Sequence, residues 1–424
     1  MPEIAVIGAG LTGLVAAYRL SQVGWRVTIF ECYAAAGGLV ATFEAGGERL
    51  ECFYHHLFAT DTDYLALAAE LGLESEIEWL PSRMGILSQG RLWDFGTPAS
   101  LLRFAPLPWP DKVRFALSVL YLRHHHTHED LEAVTARDWI LRHAGPRVFD
   151  AVWGPLLASK FGVRAGEISM AWLWNKVYQR SRTRTASGLG ERLGYMRGSF
   201  GRLIDTLVER LRERGVALEL ASPVTGIKPA AGGLEVVTRR GKARVDQALF
   251  TAAPPELVKV AAGSLPERDR EALQRLESAH ALCGVLELDR PLTSFYWLNI
   301  ADATWPFGGV IEHTNYLPPE RYGGRRIVYL SRYLLGSDPL WSMRGDEVWA
   351  AFLPFLKRLN PAFEESWVVA RHLFRGAHAQ PIVPCHYSRL LPPFVTSIPD
   401  LYHSCMAQIY PEDRGQNFAV RAGN

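Results

Sequence analysis

The sequence predicts an α/β fold in which a doubly wound domain is assembled from separated stretches of chain, with a mixed α+β domain inserted between them. Three observations carry this expectation. Residues 1–31 read as strand, glycine turn, helix and strand. A similar order of helix and strands resumes at Ser199, after a long stretch without regular strand–helix alternation. The chain then closes on a strand, a glycine-containing turn and a short helix. Its 424 residues exceed one ordinary domain and can bury a large core.

Ile4-Ala5-Val6-Ile7 is an uncharged apolar run, the pattern of a parallel strand buried on both faces. Gly8-Ala9-Gly10-Leu11-Thr12-Gly13 follows at once, and residues 14–23 carry apolar side chains at helical spacing until Gly24. Arg26-Val27-Thr28-Ile29-Phe30 makes the second strand, with Glu31 at its end. Gly8 makes the turn, Gly10 leaves bare backbone for a pyrophosphate, and Gly13 lets helix and strand pack closely. With Ala9, Leu11 and Thr12 between the glycines, the helix amino terminus presents unpaired N–H groups and partial positive charge to phosphates. Glu31 stands where a carboxylate accepts hydrogen bonds from an adenosine ribose. The order of these parts predicts a Rossmann-type dinucleotide site.

Glu31-Cys32-Tyr33 leads through three alanines to Gly37-Gly38-Leu39, a second patch made of backbone. This layout resembles the FAD-binding flavoprotein superfamily that contains amine oxidases, protoporphyrinogen oxidases, phytoene desaturases and UDP-galactopyranose mutases. The resemblance implies FAD as cofactor, with Cys32, Gly37, Gly38 and Leu39 added to its site. The family usually has a charged residue before the glycine pair and often Arg after it, whereas this chain has Ala36 and Leu39. The implied fold class is α/β: a discontinuous Rossmann-type FAD-binding domain over 1–80, 196–280 and 385–424, with an inserted mixed α+β substrate domain over 81–195 and 281–384.

Composition bounds the function. Apolar residues make up 48% and charged residues 21%, an ordinary globular balance, and the net charge of +2 predicts no nucleic-acid partner. Cys32, Cys52, Cys283, Cys385 and Cys405 are isolated, which suits reduced thiols and not a disulfide frame or an iron–sulfur site. The first strand begins by residue 4, so no signal peptide is expected, and no apolar stretch reaches the length of a membrane span. The expected location is therefore the cytoplasm.

Beyond the glycine pair, Gly46-Gly47 marks a hairpin turn, with Leu50, Cys52 and Tyr54 alternating against Glu51, Phe53 and His55. Tyr54-His55-His56-Leu57-Phe58 resembles the mutase segment that carries a flavin-proximal His before an aromatic residue, and His56 is the matching position. Each histidine can equally be read as a hydrogen-bonded core residue. Residues 61–73 suggest an amphipathic helix capped by Asp61. Residues 97–126 read as helix broken at Pro106, Pro108 and Pro110, with the domain insertion beginning near Pro81. The stretch 101–122 suits a packed helix pair, or a surface that lies on a membrane or covers a lipid-like substrate. His124 and His128 have helical ligand spacing but no third ligand spaced with them, so no metal is expected.

Trp153, Trp172 and Trp174 lie in an aromatic-rich helical region, either core or the wall of a pocket for a planar or sugar substrate. Arg180, Arg182 and Arg184 form a basic run that reads as a solvated turn or an anion contact. The Gly188-Leu189-Gly190 run has no buried strand before it and is not a second nucleotide fold. Residues 201–214 make a helix ending at Gly215, followed by strands over 216–220, 234–238 and 247–251, and the resemblance implies that the Val224 backbone holds the adenine. A further sheet is expected from 282–288, 295–298, 309–312 and 327–330. At its edge Glu312, His313, Thr314 and Asn315 form a polar cluster, in which strand alternation puts Glu312 and Thr314 on one side and His313 and Asn315 on the other, either pair as readily substrate contacts as structural ones. No lysine occurs between Lys259 and Lys357, although amine oxidases usually place one near the position of Cys283. At the C-terminus the resemblance puts Glu412, Asp413 and Gly415 on the ribityl chain, and Gln416 and Asn417 at the flavin ring.

The resemblance implies hydride transfer from a small-molecule substrate to flavin N5, with His56 the first candidate at the flavin face, followed by His55, Glu312 and Asn315. The substrate expected is planar, lipid-like or a nucleotide sugar. The alternatives are a non-redox flavoenzyme acting on a nucleotide sugar, favoured by the YHHLF segment, and a flavin-bearing binding protein.

Overall fold

The computed structural model describes residues 1–182 and 191–424, so Arg184 and the Gly188-Leu189-Gly190 run lie outside the described residues. A five-stranded parallel sheet is ordered Leu401–His403, Gln247–Phe250, Glu3–Ile7, Arg26–Phe30, Ala217–Glu219. Beyond Glu3 its central strand is apolar and buried, because alternate side chains meet different layers. Ile4 and Val6 join a core with Leu14 and Val15 of the helix Leu11–Gln22 and Leu203 and Leu207 of the helix Gly201–Glu213. Ala5 and Ile7 join another core with Ile227 and Val236 of a three-stranded antiparallel sheet and Leu257 of the helix Pro254–Ala261.

The second large sheet has seven strands, ordered Val368–Pro381, Ser278–Leu288, Arg326–Leu334, Gly309–Glu312, Trp297–Ile300, Met84–Ser88, Arg91–Asp94. Strand pairs are antiparallel except Trp297–Ile300 with Met84–Ser88. The helix Gly345–Leu359 contributes Val348, Phe352 and Leu356 to the core that covers this sheet. Val368–Pro381, the edge strand, carries exposed Arg371 and Arg375, so its pattern does not read as a strand from sequence.

Ile77–Ser82, which holds Pro81, pairs antiparallel with Glu191–Met196. Between them lie the helices Pro98–Arg103, Trp109–His124, Ala136–His143, Gly154–Phe161 and Met170–Arg182. Thr97 caps the first of these, its hydroxyl accepting from Ser100 N at 3.1 Å. Asp61 behaves differently from expectation. The helix Thr62–Glu70 follows it, yet the Asp61 carboxylate accepts from Phe58 N at 2.8 Å and so closes the preceding turn. No helix among the described residues is long and apolar enough to cross a membrane.

Candidate active site

A cavity of about 1990 Å³ runs from the first glycine turn, past the carboxy-terminal turn, into the inserted helices. Ordinary ligand sites occupy roughly 300–1,000 Å³, so this one has room for a dinucleotide and a second molecule. Gly8, Gly10, Leu11, Thr12, Glu31, Cys32 and Val224 line its nucleotide end; Gly37, Gly38, Leu39, His55 and His56 line its middle with Asp413, Gly415, Gln416 and Asn417.

The nucleotide end is made of backbone. Gly8 sits at φ +113°, and a Cβ on Gly13 would fall 2.0 Å from Gly8 O, so the turn and the close helix–strand approach both require glycine. Gly37 N donates to Ala9 O at 2.8 Å, which fastens the second glycine patch to the first. At Gly10 a Cβ would meet nothing within 4 Å, so the space beside it is open to a ligand. No side chain caps the helix that starts at Leu11, leaving its amino terminus to a phosphate. The buried Glu31 carboxylate accepts from Ala9 N at 2.7 Å and from Tyr33 N at 2.9 Å, and retains lone pairs for a ribose hydroxyl. Burial, reinforced by Glu31, pushes the neighbouring Cys32 thiol up to about 12, so it stays protonated and donates to Glu31.

At the other end, Gln416 opens the helix Gln416–Gly423 and is buried, and neither atom of its side-chain amide has a partner within the protein. An orphaned amide on the cavity wall, at an uncapped helix start, fits the polar edge of a flavin. The helix is fastened to the nucleotide turn, because Thr12 Oγ1 donates to Ala419 O at 3.1 Å.

Asp413 holds a cluster that spans the two halves of the fold. Its carboxylate accepts from Lys160 Nζ at 2.9 Å and from Trp172 Nε1 at 3.0 Å, and Lys176 also binds it. Burial alone would push the Asp413 carboxyl up, but Lys160, Lys176 and Arg414 outweigh it and hold the group well below the usual carboxylate range. Arg414 donates to Gln380 Oε1 at 3.1 Å and to the Tyr333 hydroxyl. Lys160, Trp172, Lys176, Tyr333 and Arg414 were not singled out by sequence as a group. Lys160 and Asp413 are 253 residues apart, and no local spacing announces such a pair.

His55 and His56 both line the cavity, and neither titrates near neutral pH. Burial, with Arg414 nearby, lowers His55 to about 4. Burial, with Arg180, His55 and Lys176 adding to it, lowers His56 to about 3. His56 is therefore a neutral imidazole, set edge-on to Phe58 at 5.0 Å and Trp297 at 5.7 Å. A neutral imidazole can make hydrogen bonds, but one lowered so far is a poor proton acceptor.

Four expected site residues are engaged elsewhere. Glu312 is fully buried away from the cavity and accepts from Leu292 N at 3.0 Å and from Thr293 Oγ1 at 3.0 Å. Asn315 donates to Thr293 O and Phe295 O, both at 2.9 Å. Both fasten the segment before Trp297–Ile300. The strand ends at Glu312 and a 3₁₀ turn takes His313–Asn315, so the alternation assumed for the cluster stops there. Asn417 lines the cavity, but its amide accepts from Tyr64 N at 3.0 Å and donates to Asp63 at 3.2 Å. Glu412 faces Arg421 at 3.2 Å. His125 pairs with Asp130 at 2.9 Å, and no group of three or more potential metal ligands occurs among the described residues.

A sequence profile of the flavin containing amine oxidoreductase family matches residues 11–402. The chain belongs to that family. The chain is 26% identical over 327 residues to the 15-cis-phytoene desaturase of Solanum lycopersicum, an alignment covering 69% of the chain and 54% of that protein. The chain thus spans about half the length of the curated relatives it matches. An oxidoreductase of Methanosarcina mazei superposes with a TM-score of 0.74 at 18% identity, over 99% of this chain and 98% of the other. Reduced UDP-galactopyranose mutase superposes with a TM-score of 0.77 at 17% identity, over 100% of this chain and 95% of the other. At such identities the two structures share the fold. The cofactor of this family member is FAD, in keeping with the glycine cradle and the unpartnered Gln416 amide.

Proposed function

We propose that the protein oxidises a small, largely apolar molecule. The observation that carries this reading is the continuity of one cavity from the Gly8–Glu31 cradle, past Gln416, to an aromatic chamber lined by Trp93, Phe95, Phe115 and Trp153. FAD, when bound, supplies the acceptor for a hydride leaving a substrate C–H bond. The chain supplies everything else. Gly8, Gly10, Gly37, Gly38 and Glu31 hold the dinucleotide with the Val224 backbone, and Gly415 and Gln416 meet its far ring. Trp297 and Tyr54, edge to face at 4.8 Å, make an aromatic wall of two perpendicular rings against which a substrate can be oriented and water excluded. His56 offers one neutral hydrogen bond beside that wall. Lys176 and Arg414, with Asp413 and Lys160 paired between them, give the chamber a cationic side, suited to a substrate with one anionic end.

On this reading residues 1–80, 196–280 and 385–424 hold the cofactor, and 81–195 and 281–384 hold the substrate. Five unpaired cysteines favour a reducing cytoplasm. The test is anaerobic mixing of the flavin-loaded protein with an amine, a polyene and a porphyrinogen. Bleaching of the flavin absorbance by one of them supports the oxidase reading, and an unchanged spectrum with every donor class counts against it.

A second reading, a non-redox flavoenzyme acting on a nucleotide sugar, draws on the YHHLF segment and the lysines at Asp413, which could face a diphosphate. Isomerisation of a UDP-sugar by dithionite-reduced protein, with no donor bleaching the oxidised form, would favour it.

A further inference from the structure

We propose that the helix Trp109–His124 is a docking surface for an anionic lipid bilayer, and that the cavity opens onto that bilayer. The helix has two unlike faces. Inward, Phe115 and Leu122 are buried, and Asp111 is buried beside Arg147 at 3.3 Å. Outward, Trp109 is 62% exposed, Leu117 59% and Tyr121 52%, with Val113 and Leu120 exposed beside them. At roughly 100° per residue these five side chains share one arc. Leu102, on the preceding helix, is 55% exposed and extends the arc; Lys112 Nζ donates to Leu102 O at 2.6 Å and fastens the two helices together. A soluble surface scatters its exposed apolar residues, and six of this size on one pair of helices need a cover.

Charge selects the cover. Lys112 and Arg123 flank one edge of the arc, Arg114 flanks the other, and Arg103 stands on the neighbouring helix. Between Phe95 and Thr127 the acidic side chains are limited to Asp111, which is buried. An aromatic and leucine face rimmed by cations, on a helix too polar to cross a membrane, is the pattern of a helix lying in the interface of an anionic bilayer.

The cavity supplies an independent observation. Arg103, Ala116, Leu120 and Arg123 are exposed on these two helices and also line the cavity. Its mouth therefore lies within the apolar patch, and an apolar molecule dissolved in the bilayer can enter without crossing water. The docking surface does not depend on which reaction the cavity performs.

The test is co-sedimentation of the flavin-loaded protein with vesicles, read by flavin absorbance in the pellet. Vesicles of phosphatidylcholine with about 30% phosphatidylglycerol should bind at least about tenfold more tightly than phosphatidylcholine alone, and about 0.5 M salt should remove most of the difference. Val113→Glu with Leu117→Glu touches the arc but not the cavity wall, and should lower vesicle binding about tenfold or more while flavin content and elution volume stay unchanged. The proposal is overturned if neither vesicle pellets the protein, if the double variant binds as the parent does, or if the parent elutes as a dimer that the variant dissociates while vesicle binding is unaltered. A protein that pellets with vesicles yet is reduced by no donor would retain the docking surface and lose the oxidase reading.

Discussion

The two ends of the cavity are built on opposite principles. The nucleotide end is backbone, set by glycine spacing within forty residues of the amino terminus, and the Glu31 side chain beside it is already hydrogen-bonded to the turn. The chamber end is side chain, assembled from Lys160, Trp172 and Lys176 of the inserted helices around Asp413 of the carboxy-terminal turn. A backbone cradle tolerates almost no change of residue but needs no distant partner. A charged cluster tolerates conservative change yet fails as a unit when one member is lost.

The sharpest test of the first half is Gly10→Ala. Gly10 has φ −71°, and its Cβ would touch no protein atom within 4 Å, so the apoprotein should fold with an unchanged melting temperature. The methyl group would occupy the pyrophosphate's space, and flavin affinity should fall by about a hundredfold, measured by absorbance after gel filtration. Gly13→Ala is the contrasting control, because its Cβ collides with Gly8 O and should lower stability and flavin binding together, with overpacking costing roughly 1–3 kcal/mol.

For the second half, Asp413→Asn leaves Lys160 buried without its counter-charge and should destabilise the fold by roughly 3–5 kcal/mol. Lys160→Met in the same chain should restore much of that loss, which denaturant unfolding of the four-member cycle measures. Because the native Asp413 carboxyl is depressed, its contribution is fully present above the unfolded value of about 3.9 and lost as pH falls below it, so the Asn variant should show a shallower acid transition.

That contrast explains what the sequence made legible. Spacing rules see neighbours, so Gly8, Gly10, Glu31 and Gly37-Gly38 could be assigned roles and then found beside the cavity, and Gly13 found packed against Gly8. Asp413 could be placed on the cavity but not given its partners, since Lys160 arrives through 253 residues of intervening chain. Glu312 and Asn315 misled because a polar cluster after a buried strand looks the same whether it faces a ligand or fastens a loop. The end of the strand at Glu312 decided the matter, and a hydrophobicity pattern does not place strand ends to within one residue.

The buried histidines predict a pH dependence of their own. His55 is lowered to about 4, His56 to about 3, and His313, also by burial with Arg321 nearby, to about 3. Each stays neutral in the fold while the unfolded chain binds a proton below about 6.5. Their stabilisation is therefore complete above that value and declines as pH falls toward 4, and the melting temperature should drop across this window. His56→Ala should flatten part of the drop and impair turnover while leaving FAD bound; unchanged turnover would remove His56 from the chemistry.

Gln416→Ala probes the junction between the two ends. Its amide has no protein partner, so deletion should leave stability nearly unchanged, while the loss of one ligand hydrogen bond of about 1–1.5 kcal/mol should weaken flavin binding about tenfold. Equal flavin affinity in the variant would place the ring elsewhere.

Asn315→Ala reverses that pattern and has the smallest expected effect on the cofactor. Its amide donates to Thr293 O and Phe295 O, two carbonyls of the segment leading into Trp297–Ile300. Removing both bonds should cost roughly 1–2 kcal/mol of unfolding free energy. Because Asn315 stands outside the cavity, the flavin spectrum and the turnover per folded molecule should not change. A variant with normal stability and lost turnover would mean that Asn315 reaches the substrate after all, and that the chamber extends past Trp297 toward the turn His313–Asn315.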